Sequence, residues 1–323
     1  MGNESLSDPG VSPYARGPAP GLLGQFSPLT ILVDPPAVAS PPVDARIVAL
    51  LRKARQFGVT SFDVAASSNP ARAERLIALA FPDPDPAIVA MIGRSVDTLS
   101  REGGLEHGAG STTDLAAELA RSIDRSRRRL APVRVGVIEW TREEGAVASI
   151  FPILEEVEDE NPKTPSPAWS LQISSADAAL PDLGPRVNLF SGSFSILDPN
   201  LGSRFESSGA PGGALLIARD PFSEGRLDGS RFNARTVLAG PSSPPVDMRR
   251  LHQEFDPVLR LGFLTSGHRR TLAQAALRYV LHWPWVITAV IPLPEPERLE
   301  EILDYRSTPA LSGDELEHIR RLK

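Results

Sequence analysis

Residues 47–79, IVALLRKARQFGVTSFDVAASSNPARAERLIAL, decide the fold. Ile47, Leu50, Leu51, Ala54 and Phe57 recur at helical spacing, so they form one apolar stripe. Gly58 follows as a residue free to take positive φ and end the helix. Val59–Val64 is short, apolar and β-branched, which predicts a buried strand. That strand carries Asp63 at its carboxyl end. A polar turn, Ser67–Pro70, precedes a second helix from about Ala71. Helix, glycine, buried strand, acid, turn and helix make one unit of an α/β fold. Ligands of such folds sit at the carboxyl ends of the strands, so Asp63 is the first candidate for chemistry.

The unit repeats along the chain. Leu29–Val33, Ala87–Ile92, Val133–Glu139, Ala168–Ile173, Val187–Phe190, Gly213–Arg219 and Ile287–Pro292 all read as strands. Leu115–Leu130, Val147–Val157, Val246–Leu261, Thr271–His282, Pro296–Leu303 and Ser312–Leu322 read as helices. Strand and helix alternate about eight times with no second regime of composition. This predicts one (β/α)8 barrel over residues 27–323. An open doubly wound sheet is the alternative, but no GxGxxG follows the first strand. Residues 1–26 are rich in Gly, Pro and Ser and are expected to be a disordered tail. Pro35–Pro42 reads as a loop, and residues 101–113 as a Gly-rich loop.

Composition excludes several classes. The 323 residues are 41% hydrophobic, enough for a large core. The net charge of −6 argues against a phosphate-backbone binder, so no nucleic-acid partner is expected. Cysteine is absent, which removes disulfides, thiolate zinc sites and a cysteine nucleophile, and fits a cytoplasmic location. No apolar run is long enough for a membrane span, and no signal peptide opens the chain. The histidines show no HExxH-type spacing, so no metal is expected. Lysine is confined to Lys53, Lys163 and Lys323.

Four segments together resemble the aldo-keto reductases. They are ALLRKARQFGVTSFDVA, ELARSIDRSRRRLAPVRVGVIEW, GGALLIARDPFSEGRLDG and TLAQAALRYVLHWPWVITAVIPLPEPERLEEIL. Their order and spacing are kept from roughly Asp44 to Lys323. The resemblance implies a (β/α)8 barrel, NAD(P) as cofactor and reduction of carbonyls. It also implies a tetrad of Asp, Tyr, Lys and His at the barrel mouth. Hydride transfer leaves charge on the carbonyl oxygen, which the tyrosine protonates. The lysine lowers the tyrosine pKa, the aspartate holds the lysine, and the histidine orients the substrate.

Transferred to this chain, the aspartate is Asp63. The tyrosine falls on Ser68, a shorter and far weaker acid. The lysine falls at the end of Ala87–Ile92, where Gly93 and Arg94 stand, and Arg94 is the only candidate to replace it, as a guanidinium that does not exchange its proton near neutrality. The histidine falls on Glu139, an exchange that the family uses in some ring-double-bond reductases. The residues that grip the nicotinamide amide fall near Gln172 and Ile173, and the stacking aromatic falls on Phe194. Pro221 and Gly225 keep the frame of the cofactor loop, but Asp220 replaces its serine. Leu293, Pro294 and Glu295 stand where the family binds the ribose 2′-phosphate. Acids close to a phosphate disfavour NADP in the family mode.

The residues leave several readings open. Asp63 is either a working acid or base, or a remnant paired with Arg94. Glu139 either pairs with Arg72 or Arg94, or faces Asp63 as a carboxylate pair able to run acid–base chemistry without a cofactor. His107 is either a surface-loop residue or a replacement proton donor. Trp283 and Trp285 read as packing. Three functions follow: an altered NAD(P)-dependent oxidoreductase, a cofactor-independent acid–base enzyme, or a pseudoenzyme that binds a small molecule at the barrel mouth or a protein partner.

Overall fold

The computed structural model describes residues 26–95, 99, 112–141, 167–174, 189–207, 213–231 and 248–322. Residues 1–25 of the expected tail, residues 101–111 of the Gly-rich loop with His107, and the helix expected at Val147–Val157 lie outside these residues, whereas Phe26 is buried in the barrel and Thr112 and Thr113 begin a helix. Eight parallel strands close into a barrel in chain order. They are β1 (Leu29–Leu32), β2 (Ser61–Asp63), β3 (Val89–Arg94), β4 (Arg134–Trp140), β5 (Ala168–Gln172), β6 (Leu189–Ser193), β7 (Leu215–Arg219) and β8 (Val286–Pro292). The closing pair is β1 with β8, with Leu29 opposite Ala289 and Leu32 opposite Pro292. The predicted (β/α)8 barrel is the fold of this chain.

The helices are α1 (Pro41–Gln56), α2 (Pro70–Ala80), α3 (Thr112–Leu130), α4 (Asn200–Ser207), α5 (Met248–Leu259), α6 (Leu272–Val280), α7 (Pro296–Leu303) and α8 (Gly313–Arg321). α1 buries Ile47, Leu50, Leu51 and Ala54 of the stripe read from spacing, but Phe57, just past its last turn, is exposed. Gly58 follows it at φ 87. The helix begins at Pro41, inside the expected loop. Proline fits the first turn of a helix, where its missing N–H leaves no bond unmade. Asn69 caps α2 by accepting the amide of Arg72. Thr271 with Gln274, and Ser312 with Glu315, form capping boxes that start α6 and α8. α4 was not anticipated: it is short, and Gly202 interrupts its pattern.

Strand alternation sorts the side chains into two cores. Val89, Met91, Val137, Leu189, Ile217 and Val290 fill the barrel, together with Phe26 ahead of β1. Residues of the other parity, such as Phe62, Ile92, Ile138 and Leu216, pack in the larger core beneath the helices. The barrel interior also holds hydroxyls. Thr30 Oγ1 lies 2.6 Å from Ser61 Oγ and 2.8 Å from Thr288 Oγ1. No helix among the described residues is long and apolar enough to cross a membrane.

Parity also settles Gly93 and Arg94. Arg94 points out of the barrel. Its guanidinium donates to the Ser122 carbonyl at 3.0 Å and to Ser126 Oγ, and the Ser126 hydroxyl donates to buried Glu74. Arg129 completes this tie by pairing with Glu74. Gly93 therefore shares the inward face of Val89 and Met91. A Cβ there would lie 2.6 Å from the Ala65 carbonyl oxygen and 2.8 Å from its Cα. The backbone after β2 fills the space that a side chain at position 93 would need. Gly93→Ala should lower stability by about 1–3 kcal/mol in urea denaturation, because the obstacle is backbone.

Candidate active site

The strand ends bring three charged side chains together at the carboxyl end of the barrel. Asp63 closes β2, Glu139 is the last inward residue of β4, and Arg219 closes β7. Arg219 Nη1 donates to Asp63 Oδ2 at 2.7 Å. Its Nη2 and Nε both donate to Glu139 Oε2, at 2.8 and 3.2 Å. Asp63 Oδ1 accepts the Ala65 amide at 2.7 Å. Relative exposures are 0% for Asp63, 2% for Glu139 and 9% for Arg219. Burial works to lower the Arg219 pKa, but the charges of Asp63 and Glu139 and their hydrogen bonds outweigh it and hold the pKa above the ordinary arginine value. The guanidinium is a permanent cation between two carboxylates.

This arrangement corrects the expected pairings. Asp63 does not pair with Arg94, which lies under the helices. Arg72 pairs with Asp44 and the Pro36 carbonyl, not with Glu139. Asp63 and Glu139 are gathered at one place, yet Arg219 bridges them, so they do not face each other as an open carboxylate pair. Arg219 was missed as a functional residue. The signal was in the alternation Leu215, Ile217, Arg219, which puts a cation at the last inward position of a strand.

The other candidates are dispersed. Ser68 is exposed, and its hydroxyl donates to Asp34 Oδ1 at 2.7 Å. Gln172 is half-buried at the end of β5, with Ser191 opposite it on β6. Phe194 is fully buried against Tyr279 and Trp285, with ring centroids 5.8 and 5.1 Å apart, so its ring belongs to the core beneath the helices. Trp283 and Trp285 join that aromatic cluster. Pro221 is buried in the turn after β7. Gly225 in the same turn has φ +80, and a Cβ there would meet Ser230 Oγ at 2.2 Å. Asp220, Ser223 and Glu224 of this turn also have positive φ, which is costly for residues with side chains.

No phenol or ammonium reaches the mouth among the described residues. Tyr279 is in α6, and burial pushes its phenol up to about 12. Tyr305 is buried after α7. Lys53 is on α1, with its Nζ 2.5 Å from Glu300 of α7. No group of His, Cys, Asp or Glu among these residues could hold a metal ion.

Solved structures share this architecture. An aldo-keto reductase from Bacillus halodurans in its holo form covers 92% of this chain and 92% of its own, at TM-score 0.61 and 16% identity. The barrel has the aldo-keto reductase fold. A thermostable aldo-keto reductase, Tm1743, with the inhibitor epalrestat matches 92% of this chain and 96% of its own, at TM-score 0.62 and 17% identity. An aldo/keto reductase from Klebsiella pneumoniae in complex with NADP and acetate matches 92% and 91%, at TM-score 0.62 and 16% identity. No protein-family model and no curated protein matches the sequence.

Within the aldo-keto reductase fold, the cation beside the β2 aspartate here comes from β7, while the β3 position is closed to any side chain. Arg219→Met strands two buried carboxylates and should cost about 3–5 kcal/mol of stability, measured by chemical denaturation. Asp220 gives a pH signature. Burial, with smaller contributions from Glu224 and Asp228, raises its pKa despite the opposing bond from the Glu224 amide. The native state therefore keeps the Asp220 proton longer than the unfolded chain, and stability falls as pH rises from the ordinary aspartate value through the raised one. Asp220→Asn should flatten that segment of the Tm–pH curve and raise Tm at pH 7, since asparagine also tolerates positive φ.

Proposed function

We propose that this chain is a divergent member of the aldo-keto reductase superfamily whose barrel mouth binds a small organic molecule without reducing carbonyls. The observation that carries this reading is the bridged cluster of Asp63, Arg219 and Glu139. Carbonyl reduction needs a proton for the nascent alkoxide. A guanidinium cannot supply it near neutrality, and here its proton is held more tightly still. Ser68 stands outside the cluster, bonded to Asp34, and a serine hydroxyl is a poor acid.

A nicotinamide dinucleotide would supply hydride, and the Klebsiella pneumoniae relative of this fold is a complex with NADP. The residues of this chain do not fit that group in the family mode. Asp220, partly buried after β7, stands beside the place expected for the pyrophosphate. Glu295 stands after β8 at the place expected for the 2′-phosphate, and it is paired with Arg46. Arg298 is engaged by the Asp228 carbonyl and by Glu301. These arginines are already neutralised, and the acids would face the phosphates.

The cofactor-independent acid–base reading is weaker for the same reason. A carboxylate pair shifts its pKa values apart when two negative charges confront each other, and Arg219 removes that confrontation. Fluorescence titration with NADPH and NADH tests the proposal, alongside turnover of a simple aldehyde. No saturable quenching up to about 1 mM nucleotide and no turnover are expected. Micromolar binding or reductase turnover would contradict it.

A further inference from the structure

The turn that follows β7 is held in a conformation that its residues do not favour. Asp220, Ser223 and Glu224 have φ of 51, 52 and 57, in the left-handed region that suits glycine. Gly225 and Gly229 take positive φ there at no such cost. The ends of the strained stretch are fixed. Phe222 and Leu227 are each 2% exposed, and the Leu227 amide donates to the Phe222 carbonyl at 3.0 Å. Between these anchors Glu224 is exposed, and Gly225 and Arg226 are half-buried. Strain of this kind persists only where neighbouring bonds enforce it.

Those bonds are few, and two of them run to Asp220. Its carbonyl accepts the Ser223 amide at 3.0 Å, and its Oδ1 accepts the Glu224 amide at 2.7 Å. The Ser223 hydroxyl bonds with Ser195 Oγ at 2.6 Å, and the Ser223 carbonyl accepts Arg226 Nε at 3.0 Å. Among these acceptors only the Asp220 carboxyl can exchange a proton in the ordinary pH range. Burial is the largest influence on it and opposes ionisation. The Glu224 amide and Arg226 favour ionisation, while the charges of Glu224 and Asp228 oppose it. The other cations packed against the turn are engaged elsewhere. Arg231 binds Glu224 and, on α5, Glu254. Arg298 of α7 engages Asp228 and Glu301. Arg219 is bonded to Asp63 and Glu139.

We propose that this turn is a proton-operated latch, closed when Asp220 is protonated and released over Ser223–Gly225 when Asp220 ionises. Release lets water reach the carboxylate, moves the Glu224 charge away and frees Ser223 and Glu224 from the left-handed region. Phe222 and Leu227 stay in the core as hinges. The closed turn holds the Asp220 proton more tightly than the released one. The closed fraction therefore falls as pH rises from the ordinary aspartate value through the raised one. The latch adjoins the charged cluster through Arg219 but shares none of its bonds, so it stands whether or not the mouth binds a nucleotide.

Amide hydrogen exchange of the full chain, resolved at Ser223 and Glu224 and divided by the intrinsic rate at each pH, reads the released fraction. That fraction should rise by about threefold or more from about pH 4 to about pH 8, while the strand amides of Phe190 and Ile217 keep their protection. An NMR titration of the Asp220 carboxyl carbon should have its midpoint where the exchange rises. Asp220→Asn keeps the acceptor and removes the charge, so both amides should stay at their low-pH value throughout. Glu224→Gly removes strain and a like charge, and should slow exchange of both amides several-fold at the high-pH end. A released fraction that does not change with pH, a rise whose midpoint departs from the Asp220 titration, the same rise in Asp220→Asn, or no slowing in Glu224→Gly would overturn the proposal.

Discussion

A guanidinium held between two buried carboxylates governs the carboxyl end of this barrel. Arg219 reaches from β7 to Asp63 on β2 and Glu139 on β4, strands that the chain order keeps far apart around the barrel. The three groups tolerate burial because each carboxylate is hydrogen-bonded to the one guanidinium. Removing Arg219 leaves two carboxylates that the interior cannot solvate. Their positions therefore constrain strand register, the approach of the β2 backbone and the chemistry that the mouth can support.

The approach of the β2 backbone shows how closely these constraints are coupled. Ala65 donates its amide to Asp63 and also occupies the space in front of Gly93. A lysine at position 93 would collide with that backbone, so a cation for Asp63 has to arrive from elsewhere. Arg219 arrives from β7. The result is a positive charge beside the aspartate whose guanidinium also bridges to Glu139. No phenol stands near it among the described residues. The barrel matches solved aldo-keto reductases over 92% of the chain, a likeness of scaffold.

Much of the fold was legible in residues 47–79. The stripe of α1, the positive φ of Gly58 and the buried strand ending in Asp63 all follow from spacing and composition, because local periodicity reports which face is buried. The start of α1 was less legible, since Pro41 and Pro42 suit both a loop and a first helical turn. The site was legible only in part. Asp63 and Glu139 could be placed at strand ends, but their partner could not be chosen by charge alone, with Arg72 and Arg94 nearer in sequence. Strict alternation along β3 and β7 separates them: Arg94 follows inward Gly93 and points out, while Arg219 follows inward Ile217 by two and points in.

The central claim is that Arg219 and Asp63 act as one buried unit. A double-mutant cycle with Arg219→Met, Asp63→Asn and the combination, followed by urea denaturation, measures it directly. The account predicts a coupling free energy of about 2–3 kcal/mol, the double variant being far less damaged than the sum of the singles. Effects that add to within about 0.5 kcal/mol would contradict it.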